Sequence, residues 1–319
     1  MTYRVLLTAQ LPDEAMRLLL EDEIISRVDV AAKPLLQSDL QSAFQKYDAV
    51  ISLLSDSIDA SMFENTTVRI VANYAVGYNN IDVEAAKNAG VYVTNTPGIL
   101  TDASADLGFA LLMAVARKIP QADKYCRDGK FVGWGPMLML GADIAHQTLG
   151  IVGAGRIGSA MARRGRGFDM NILYVSRTDK PHMNDLGARR VSLNELLEQS
   201  DFVSLHTSLN QDTYHLINEA ALSKMKPSAF LINTSRGPVV DEQALVDALH
   251  SKSIAGAGLD VFEDEPKIHP DLLSMESVVL APHIGSGTHS TRRRMAEMVA
   301  KNVLSVLHGK EPQNPVFSL

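Results

Sequence analysis

The feature that most constrains the fold is a short apolar run leading straight into three spaced glycines. Residues 148–158 read Thr-Leu-Gly-Ile-Val-Gly-Ala-Gly-Arg-Ile-Gly, so Gly153, Gly155 and Gly158 have a G-x-G-x-x-G spacing. A helical pattern follows, and an apolar run at 171–175 closes a strand–helix–strand unit. The first glycine then permits a tight turn, the second lets a pyrophosphate approach, and the third allows close helix–strand packing. The pattern predicts a dinucleotide site, with a purely structural turn as the alternative.

Composition and charge limit the classes to which this chain can belong. Its 319 residues, 46% hydrophobic and 21% charged, are typical of a globular protein with two domains. A net charge of −7 and no basic run longer than three arginines argue against a nucleic-acid partner. The single cysteine, Cys126, excludes an intrachain disulfide and a cysteine-rich metal site, so we expect a cytoplasmic protein without a metal. The absence of a signal-peptide pattern and of an apolar run of ~20 residues predicts no membrane association.

The first part of the chain, residues 3–97, alternates short apolar runs with helical patterns. Five runs are typical of buried strands, and the helical patterns lie between them, near residues 14–21, 36–46 and 82–89. This alternation predicts a parallel, helix-flanked sheet. The loop 73–80 follows a strand end, where open α/β sheets bind ligands. The same loop could equally be a plain turn with Gly77 at a positive φ.

The second part of the chain repeats this alternation at greater length. Thr101 is expected to cap a long apolar helix that ends near residue 117. Six further apolar runs are typical of strands, at residues 149–152, 172–175, 202–205, 230–233, 257–259 and 278–281. Six strands with crossover helices match a doubly wound dinucleotide-binding domain.

The end of the chain completes the domain plan. An amphipathic helix is expected over 288–309, and it would fold back onto the first part of the chain. We therefore predict an α/β protein of two Rossmann-like doubly wound parallel-sheet domains with the cleft between them. The flavodoxin-like substrate-binding domain would comprise 1–98 and 287–319, and the dinucleotide-binding domain 99–286.

Residues 119–147 lack a clear period and contain Trp134 and the apolar run at 137–140. A long irregular segment in a compact domain is usually functional or interfacial. We predict that it forms a subunit interface.

The residues after the second strand of the dinucleotide unit bear on the choice of cofactor. An acid that binds a ribose 2′-hydroxyl is expected at that strand end, but Ser176, Arg177 and Thr178 occupy it. A guanidinium with two hydroxyls suits a 2′-phosphate. We predict NADP(H) as the preferred cofactor, with NAD(H) possible if Asp179 takes the role of the acid.

Three charged groups follow strand ends of the second domain. Arg236 can hold a carboxylate and polarise a carbonyl, and His283 can deliver a proton near neutral pH. Glu265 behind His283 would fix its tautomer and favour its protonated form. Singly, each could be a solvated loop or turn residue. Together, at one sheet edge, they are the groups that hydride transfer to a keto acid needs.

At this point the chain resembles a family. The stretches 73–82, 153–158, 233–240, 256–266 and 282–287 are similar to those of the D-isomer-specific 2-hydroxyacid dehydrogenases, most of all the glyoxylate/hydroxypyruvate reductase branch. The resemblance covers essentially the whole chain. It implies that Arg236, Glu265 and His283 are catalytic, that 118–147 is a dimerisation arm, and that the C-terminal helix completes the first domain.

The resemblance and the motifs together define the predicted site. Cofactor contacts are expected from Thr101, Gly153, Ala154, Gly155, Arg156, Ile157, Gly158, Ser176, Arg177, Thr178, Thr207, Ser208, Thr213, Thr234, Ser235, Arg236, Asp260, His283 and Gly285. Substrate contacts are expected from Leu53, Val76, Gly77, Arg236, His283 and Ser286, with the amides of Val76 and Gly77 binding the substrate carboxylate.

Two departures from the family pattern stand out. Ser208 occupies a position where the family usually has proline, which predicts a looser loop beside the adenine. Leu138 aligns with an arm tryptophan of some glyoxylate reductases, and Trp134 lies just upstream.

The sequence predicts an NADPH-preferring reductase of glyoxylate or hydroxypyruvate that yields the D-2-hydroxy acid. The alternatives are another D-2-hydroxyacid dehydrogenase, such as a phosphoglycerate dehydrogenase, and a non-catalytic nucleotide-sensing module on the same fold.

Overall fold

The computed structural model describes residues 2–319, which divide into two compact units. The first unit contains the chain up to Leu100 together with Ser286–Leu319, and the second contains Thr101–Gly285. Each unit is built on its own parallel sheet. The predicted fold class, two parallel-sheet α/β units, is confirmed.

The first unit has a five-stranded parallel sheet with helices around it. Its strands are β1 (Tyr3–Leu7), β2 (Ile25–Val30), β3 (Ala49–Ser52), β4 (Ile70–Asn73) and β5 (Tyr92–Thr94). Its α-helices are α1 (Asp13–Leu20), α2 (Gln37–Ala43), α3 (Val83–Asn88) and α12 (His289–Leu307), and a 3₁₀ turn spans Ala60–Phe63. The strand order β2-β1-β3-β4-β5 is that of flavodoxin-like sheets.

Burial on both faces explains why the central strands of this sheet are continuous apolar runs. Every residue of β3 and β4 is buried. The long helix α12 begins after Thr288, whose side chain accepts a hydrogen bond from the Thr291 N–H, and it packs against α1 and β4.

The second unit has a seven-stranded parallel sheet. Its strands are β6 (Thr148–Val152), β7 (Asn171–Val175), β8 (Arg189–Arg190), β9 (Phe202–Leu205), β10 (Phe230–Asn233), β11 (Gly256–Leu259) and β12 (Val278–Leu280). Its α-helices are α4 (Thr101–Ala116), α5 (Ile119–Arg127), α6 (Arg156–Gly167), α7 (Pro181–Asn184), α8 (Leu193–Gln199), α9 (Glu219–Leu222), α10 (Glu242–His250) and α11 (Pro270–Ser274), with a 3₁₀ turn at Gly237–Val239.

The strand order β12-β11-β10-β9-β6-β7-β8 is the doubly wound order of dinucleotide-binding domains. Alternate strand residues face two apolar cores, one on each side of the sheet. Ile151 and Tyr174 belong to one core, whereas Val152 and Leu173 belong to the other. Because β6 lies between β7 and β9, the turn after β6 is at the point where the strand order reverses, which is where such sheets bind ligands.

Three local expectations and one of two open alternatives were wrong. The segment expected to be irregular from residue 119 begins with α5, a helix without a single buried residue, so no apolar period marked it. The two-residue edge strand β8 adds a seventh strand where six were expected. Thr101 lies within α4 and does not precede it. Gly77 is not among the residues with positive φ, so the interpretation of 73–80 as a turn with a left-handed glycine fails.

Within residues 2–319, we find no helix that combines the length and apolar character needed to cross a bilayer.

Candidate active site

The glycine turn after β6 has the geometry that its spacing predicts. Gly153 has φ +99°, and a Cβ there would lie 2.7 Å from the carbonyl oxygen of His206. A Cβ on Gly158 would overlap the carbonyl oxygen of Gly153, so only glycine lets α6 approach β6 this closely. A Cβ on Gly155 would meet nothing within 4 Å, which leaves open space beside the first turn of α6. That space and the helix N–H groups suit a pyrophosphate.

The other residues of the glycine turn differ in their exposure to solvent. Ala154 and Gly158 are buried, Ile157 is half-buried, and Gly155 and Arg156 are exposed at the start of α6.

Two buried hydroxyls that follow strands of the same sheet have no hydrogen-bond partner among the described residues. They are Oγ1 of Thr207, which follows β9, and Oγ1 of Thr234, which follows β10. Buried polar atoms are normally satisfied, so an orphan at a sheet edge indicates a missing ligand or water. Thr101 is half-buried at the start of α4. These residues fit a bound nicotinamide dinucleotide.

The loop after β7 holds the residues expected to select the cofactor. The Ser176 hydroxyl donates to the carbonyl of Thr178, while Arg177 and Thr178 are exposed. The Asp179 carboxylate accepts hydrogen bonds from the Tyr174 hydroxyl, at 2.8 Å, and from Asn184 Nδ2, at 3.2 Å. The Tyr174 bond, with that of Asn184, lowers the pKa of Asp179. The carboxylate is thus held within its own loop.

The loop after β9 closes on itself through one hydroxyl. Thr213 Oγ1 donates to the carbonyl of Ser208, at 2.7 Å, and accepts from the N–H of Asn210, at 2.9 Å. Ser208, predicted to loosen this loop, is exposed. The Thr213 bridge supplies a local restraint in this loop.

Arg236 is placed by an asparagine at the end of β10. Asn233 Nδ2 donates to the carbonyl of Arg236, at 2.9 Å, and its Oδ1 accepts from the N–H and hydroxyl of Ser235. The Arg236 guanidinium is half-buried and donates to the carbonyl of Ser235, at 2.7 Å. Burial lowers the pKa of Arg236, and the charge of Glu265 partly opposes this effect. The group stays charged at neutral pH.

Glu265 lies on a loop that packs against the Arg236 turn. A Cβ on Gly237 would overlap the carbonyl of Phe262, so this glycine permits the contact. Glu265 Oε1 accepts from the Phe262 N–H at 3.1 Å. Partial burial raises the pKa of Glu265, but the hydrogen bond and charge of His283, with the charge of Arg236, outweigh it, so the pKa is lowered overall. Glu265 is therefore ionised near neutral pH.

His283 occupies a left-handed turn after β12, with φ +54°. The buried carboxylate of Asp260 accepts the N–H groups of Ile284, at 2.7 Å, and Gly285, at 2.8 Å. Burial raises the pKa of Asp260, against the effect of these hydrogen bonds. His283 Nδ1 lies 2.8 Å from Glu265 Oε2. Because an ionised carboxylate only accepts, Nδ1 carries a proton, and Nε2 is the atom left to exchange one.

The structure therefore brings His283 and Glu265 into a hydrogen bond and places Arg236 near enough for its charge to act on Glu265. All three follow carboxyl ends of parallel strands in the sheet whose β6 precedes the glycine turn. The arrangement can donate a proton from an imidazole and bind an anion with a guanidinium. Among residues 2–319, no group of three or more His, Cys, Asp or Glu side chains is placed to hold a metal.

The first unit holds the remaining predicted substrate residues. The carbonyl of Val76 accepts from Asn95 Nδ2, at 2.7 Å, and that of Gly77 accepts from Asn73 Nδ2, at 2.8 Å. The N–H groups of Val76 and Gly77 have no partner among the described residues. The N–H of Leu53 is instead bonded to Asp56, at 2.7 Å. This leaves two adjacent amide donors for an acceptor.

Ser286, also predicted to bind substrate, is half-buried just before α12, and its carbonyl accepts from the Thr288 N–H at 2.9 Å.

Three asparagines that were not among the predicted site residues hold the backbone of these loops by hydrogen bonds. Asn73 and Asn95 hold the 76–77 carbonyls, and Asn233 closes the Arg236 turn. The available signal was position, because asparagine side chains close turns where a strand ends.

The class of protein follows from these features: a two-unit parallel α/β protein with a dinucleotide turn and an Arg–Glu–His group is a nicotinamide-dependent dehydrogenase. A profile described as "D-isomer specific 2-hydroxyacid dehydrogenase, NAD binding domain" matches residues 109–285. The chain belongs to the D-isomer specific 2-hydroxyacid dehydrogenase family.

Individual relatives are similar to this chain in sequence over most of its length. The chain is 49% identical to a glyoxylate reductase of Thermococcus litoralis, covering 98% of this chain and 96% of the relative. It is 57% identical to a glyoxylate reductase of Korarchaeum cryptofilum, over 84% and 82%. A solved NADPH-dependent glyoxylate/hydroxypyruvate reductase from Sinorhizobium meliloti, in complex with NADP and malonate, superposes with TM-score 0.87 at 32% identity, covering 99% of this chain and 97% of that one.

Proposed function

We propose that this enzyme reduces a small 2-keto acid with NADPH, converting glyoxylate to glycolate or hydroxypyruvate to the D-2-hydroxy acid. The observation that carries the proposal is the 2.8 Å hydrogen bond between His283 Nδ1 and Glu265, a carboxylate on which the charge of Arg236 also acts. Similarity to glyoxylate reductases at 49% and 57% identity supports the substrate class.

Each side chain has a distinct role in this proposal. The nicotinamide, when bound, supplies the hydride. His283 donates the Nε2 proton to the oxygen that becomes the hydroxyl, and Glu265 keeps Nδ1 protonated and stabilises the imidazolium. Arg236 binds the substrate carboxylate and polarises its carbonyl. The unpaired N–H groups of Val76 and Gly77 bind carboxylate oxygens.

The preference for NADPH rests on the loop after β7. Arg177 and Thr178 are exposed there, and the one nearby acid, Asp179, is engaged by Tyr174 and Asn184. An acid that is already hydrogen-bonded competes poorly for a ribose hydroxyl, whereas a free guanidinium attracts a phosphate. Arg177→Ala is expected to raise the KM for NADPH at least tenfold and to leave that for NADH within twofold. An unchanged ratio of the two constants would contradict the NADPH assignment.

We also propose that the enzyme is a homodimer that pairs through residues 118–147. This segment contains α5 and, after it, exposes several large apolar side chains, among them Val132 at 95% and Trp134 at 84%. Exposed apolar groups at this density mark an interaction surface. Light scattering on the intact protein is expected to give twice the chain mass of 34.7 kDa. The Val132→Asp substitution is expected to lower the measured mass. A monomeric wild type would contradict the proposal.

The activity is tested by following the loss of NADPH absorbance with a panel of keto acids. Glyoxylate and hydroxypyruvate are expected to give the highest kcat/KM, and the glycerate formed from hydroxypyruvate is expected to be the D-isomer. Tight NADPH binding without turnover of any keto acid would instead indicate a nucleotide-sensing module.

A further inference from the structure

Arg190, on the edge strand β8, reaches past the end of the neighbouring strand to the cofactor loop. It pairs with Tyr174 in the register of β7 and β8. Its Nε and Nη2 donate to the carbonyl of Ser176, at 3.2 and 2.9 Å, and Nη2 also donates to the carbonyl of Arg177, at 2.9 Å. One guanidinium therefore holds two successive peptide carbonyls.

This contact of the Arg190 guanidinium with the carbonyls of Ser176 and Arg177, here called the clamp, fixes the direction of two backbone N–H groups. A trans peptide is planar, so the N–H of each unit points opposite to its carbonyl. With the carbonyls of Ser176 and Arg177 held by Arg190, the N–H groups of Arg177 and Thr178 point away from Arg190. Neither N–H has a hydrogen-bond partner among residues 2–319. Unpartnered backbone N–H groups at a bend are donors to which an anion can bind.

Charge adds to this geometry. The two carbonyl dipoles would repel a phosphate if they faced it, and Arg190 turns them toward its own positive charge. The acid of the loop, Asp179, is withdrawn onto Tyr174 and Asn184. Arg190 still has the two N–H donors of Nη1, which make no hydrogen bond within residues 2–319.

We propose that Arg190 is a specificity-determining positioning residue that shapes the 176–178 loop into a seat for the 2′-phosphate of NADP(H). The proposal rests on the proposed NADPH preference and deepens it. Arg177 supplies the direct charge, and Arg190 supplies the backbone donors by holding their carbonyls.

The chain offers a matched control on the same strand. Arg189 is also exposed, but its guanidinium binds Glu195, at 2.6 Å, and Gln199, at 2.9 Å, away from the loop. Arg189→Ala removes the same charge from the adjacent position and leaves the clamp intact. Any difference between the two variants therefore reports the clamp and not the net charge.

The test is the Kd of the intact protein for NADP⁺ and NAD⁺, measured by calorimetry for the wild type and three variants. Arg190→Ala is expected to weaken NADP⁺ binding at least tenfold and NAD⁺ binding less than twofold, while Arg189→Ala changes either by less than threefold. Arg190→Lys, which keeps the charge but cannot hold both carbonyls in the same way, is expected to lose at least fivefold for NADP⁺.

Three results would overturn the proposal. They are an Arg190→Ala variant with the wild-type ratio of the two Kd values, a loss equal to that of Arg189→Ala, and an Arg190→Lys variant equal to the wild type. Failure of the proposed cofactor preference is seen separately, because it would appear as a wild type that binds NAD⁺ at least as tightly as NADP⁺.

Discussion

His283 adopts a left-handed backbone conformation, which costs a residue with a Cβ about 1 kcal/mol. Asp260 holds the following turn by accepting the N–H groups of Ile284 and Gly285, and its carbonyl accepts the His283 N–H at 2.9 Å. The imidazole is thereby directed at Glu265. The strain is local, and it is maintained by a buried carboxylate that has no proposed contact with the reacting atoms.

At the same scale, Glu265→Gln removes the negative charge behind the imidazole and keeps the size of the side chain. The imidazolium that donates the proton then loses its partner, so kcat for keto-acid reduction is expected to fall by ~10²–10⁴-fold. NADPH affinity is expected to stay within threefold. The matched control is Asp264→Asn, an exposed acid one position earlier, which should keep wild-type kcat. A Glu265→Gln variant as active as this control would exclude the proposed role.

Arg236→Lys keeps the positive charge and removes the planar fork. A single ammonium cannot bind a carboxylate and polarise its carbonyl together, so kcat/KM for glyoxylate is expected to fall at least 100-fold. Steady-state kinetics with NADPH held saturating measures this loss. An unchanged kcat/KM would mean that Arg236 acts only through its charge.

At the scale of elements, the contact between α6 and β6 depends on one glycine. Gly158→Ala would place a methyl group against the carbonyl of Gly153, and relieving the overlap moves the helix away from the strand at a cost of ~1–3 kcal/mol. The thermal midpoint and NADP⁺ affinity are both expected to drop. Gly167→Ala, at the other end of α6, meets nothing within 4 Å and should be neutral or stabilising by ~0.5–1 kcal/mol. Equal midpoints for the two variants would contradict this account.

Elements with an apolar signature could be predicted from the sequence, and those without one could not. The spacing of Gly153, Gly155 and Gly158 after an apolar run was enough to place β6, α6 and their turn. By contrast, α5 buries no residue and β8 has only two, both arginines, so neither left a hydrophobic pattern.

The same limit applies to the site. The positions of the predicted strands indicated where Arg236, Glu265 and His283 would lie, because the carboxyl ends of parallel strands share one edge of a sheet. The clamp from Arg190 joins residues 14 positions apart through an edge strand that no pattern revealed. Likewise, local sequence cannot reveal that the Tyr174 hydroxyl donates a hydrogen bond to the carboxylate of Asp179, since this bond depends on how the loop folds back on its strand.

For the whole molecule, His206 makes stability depend on pH. Burial lowers the pKa of His206 to about 4 from an ordinary value of 6.5. Below pH 6.5 the unfolded chain therefore takes up a proton that the folded chain excludes, and the free energy of unfolding declines until about pH 4. The decline reaches up to ~2 kcal/mol at pH 5, an upper bound because part of the residue stays exposed.

Urea unfolding at pH 7.5 and pH 5.0 measures this effect. His206→Gln lacks the titrating group, so its loss of stability between the two pH values is expected to be smaller than that of the wild type. The comparison is made between pH values within each protein, so a general destabilisation by the substitution does not affect it. Equal losses in the two proteins would contradict the assignment.

The most direct test of the central claim is the kcat of NADPH-dependent glyoxylate reduction by His283→Ala, with NADPH affinity measured on the same preparation. If His283 delivers the proton, the variant should lose at least 10³-fold in kcat and bind NADPH within threefold of the wild type. Turnover within tenfold of the wild type would contradict the claim that a proton passes from this imidazole to the substrate.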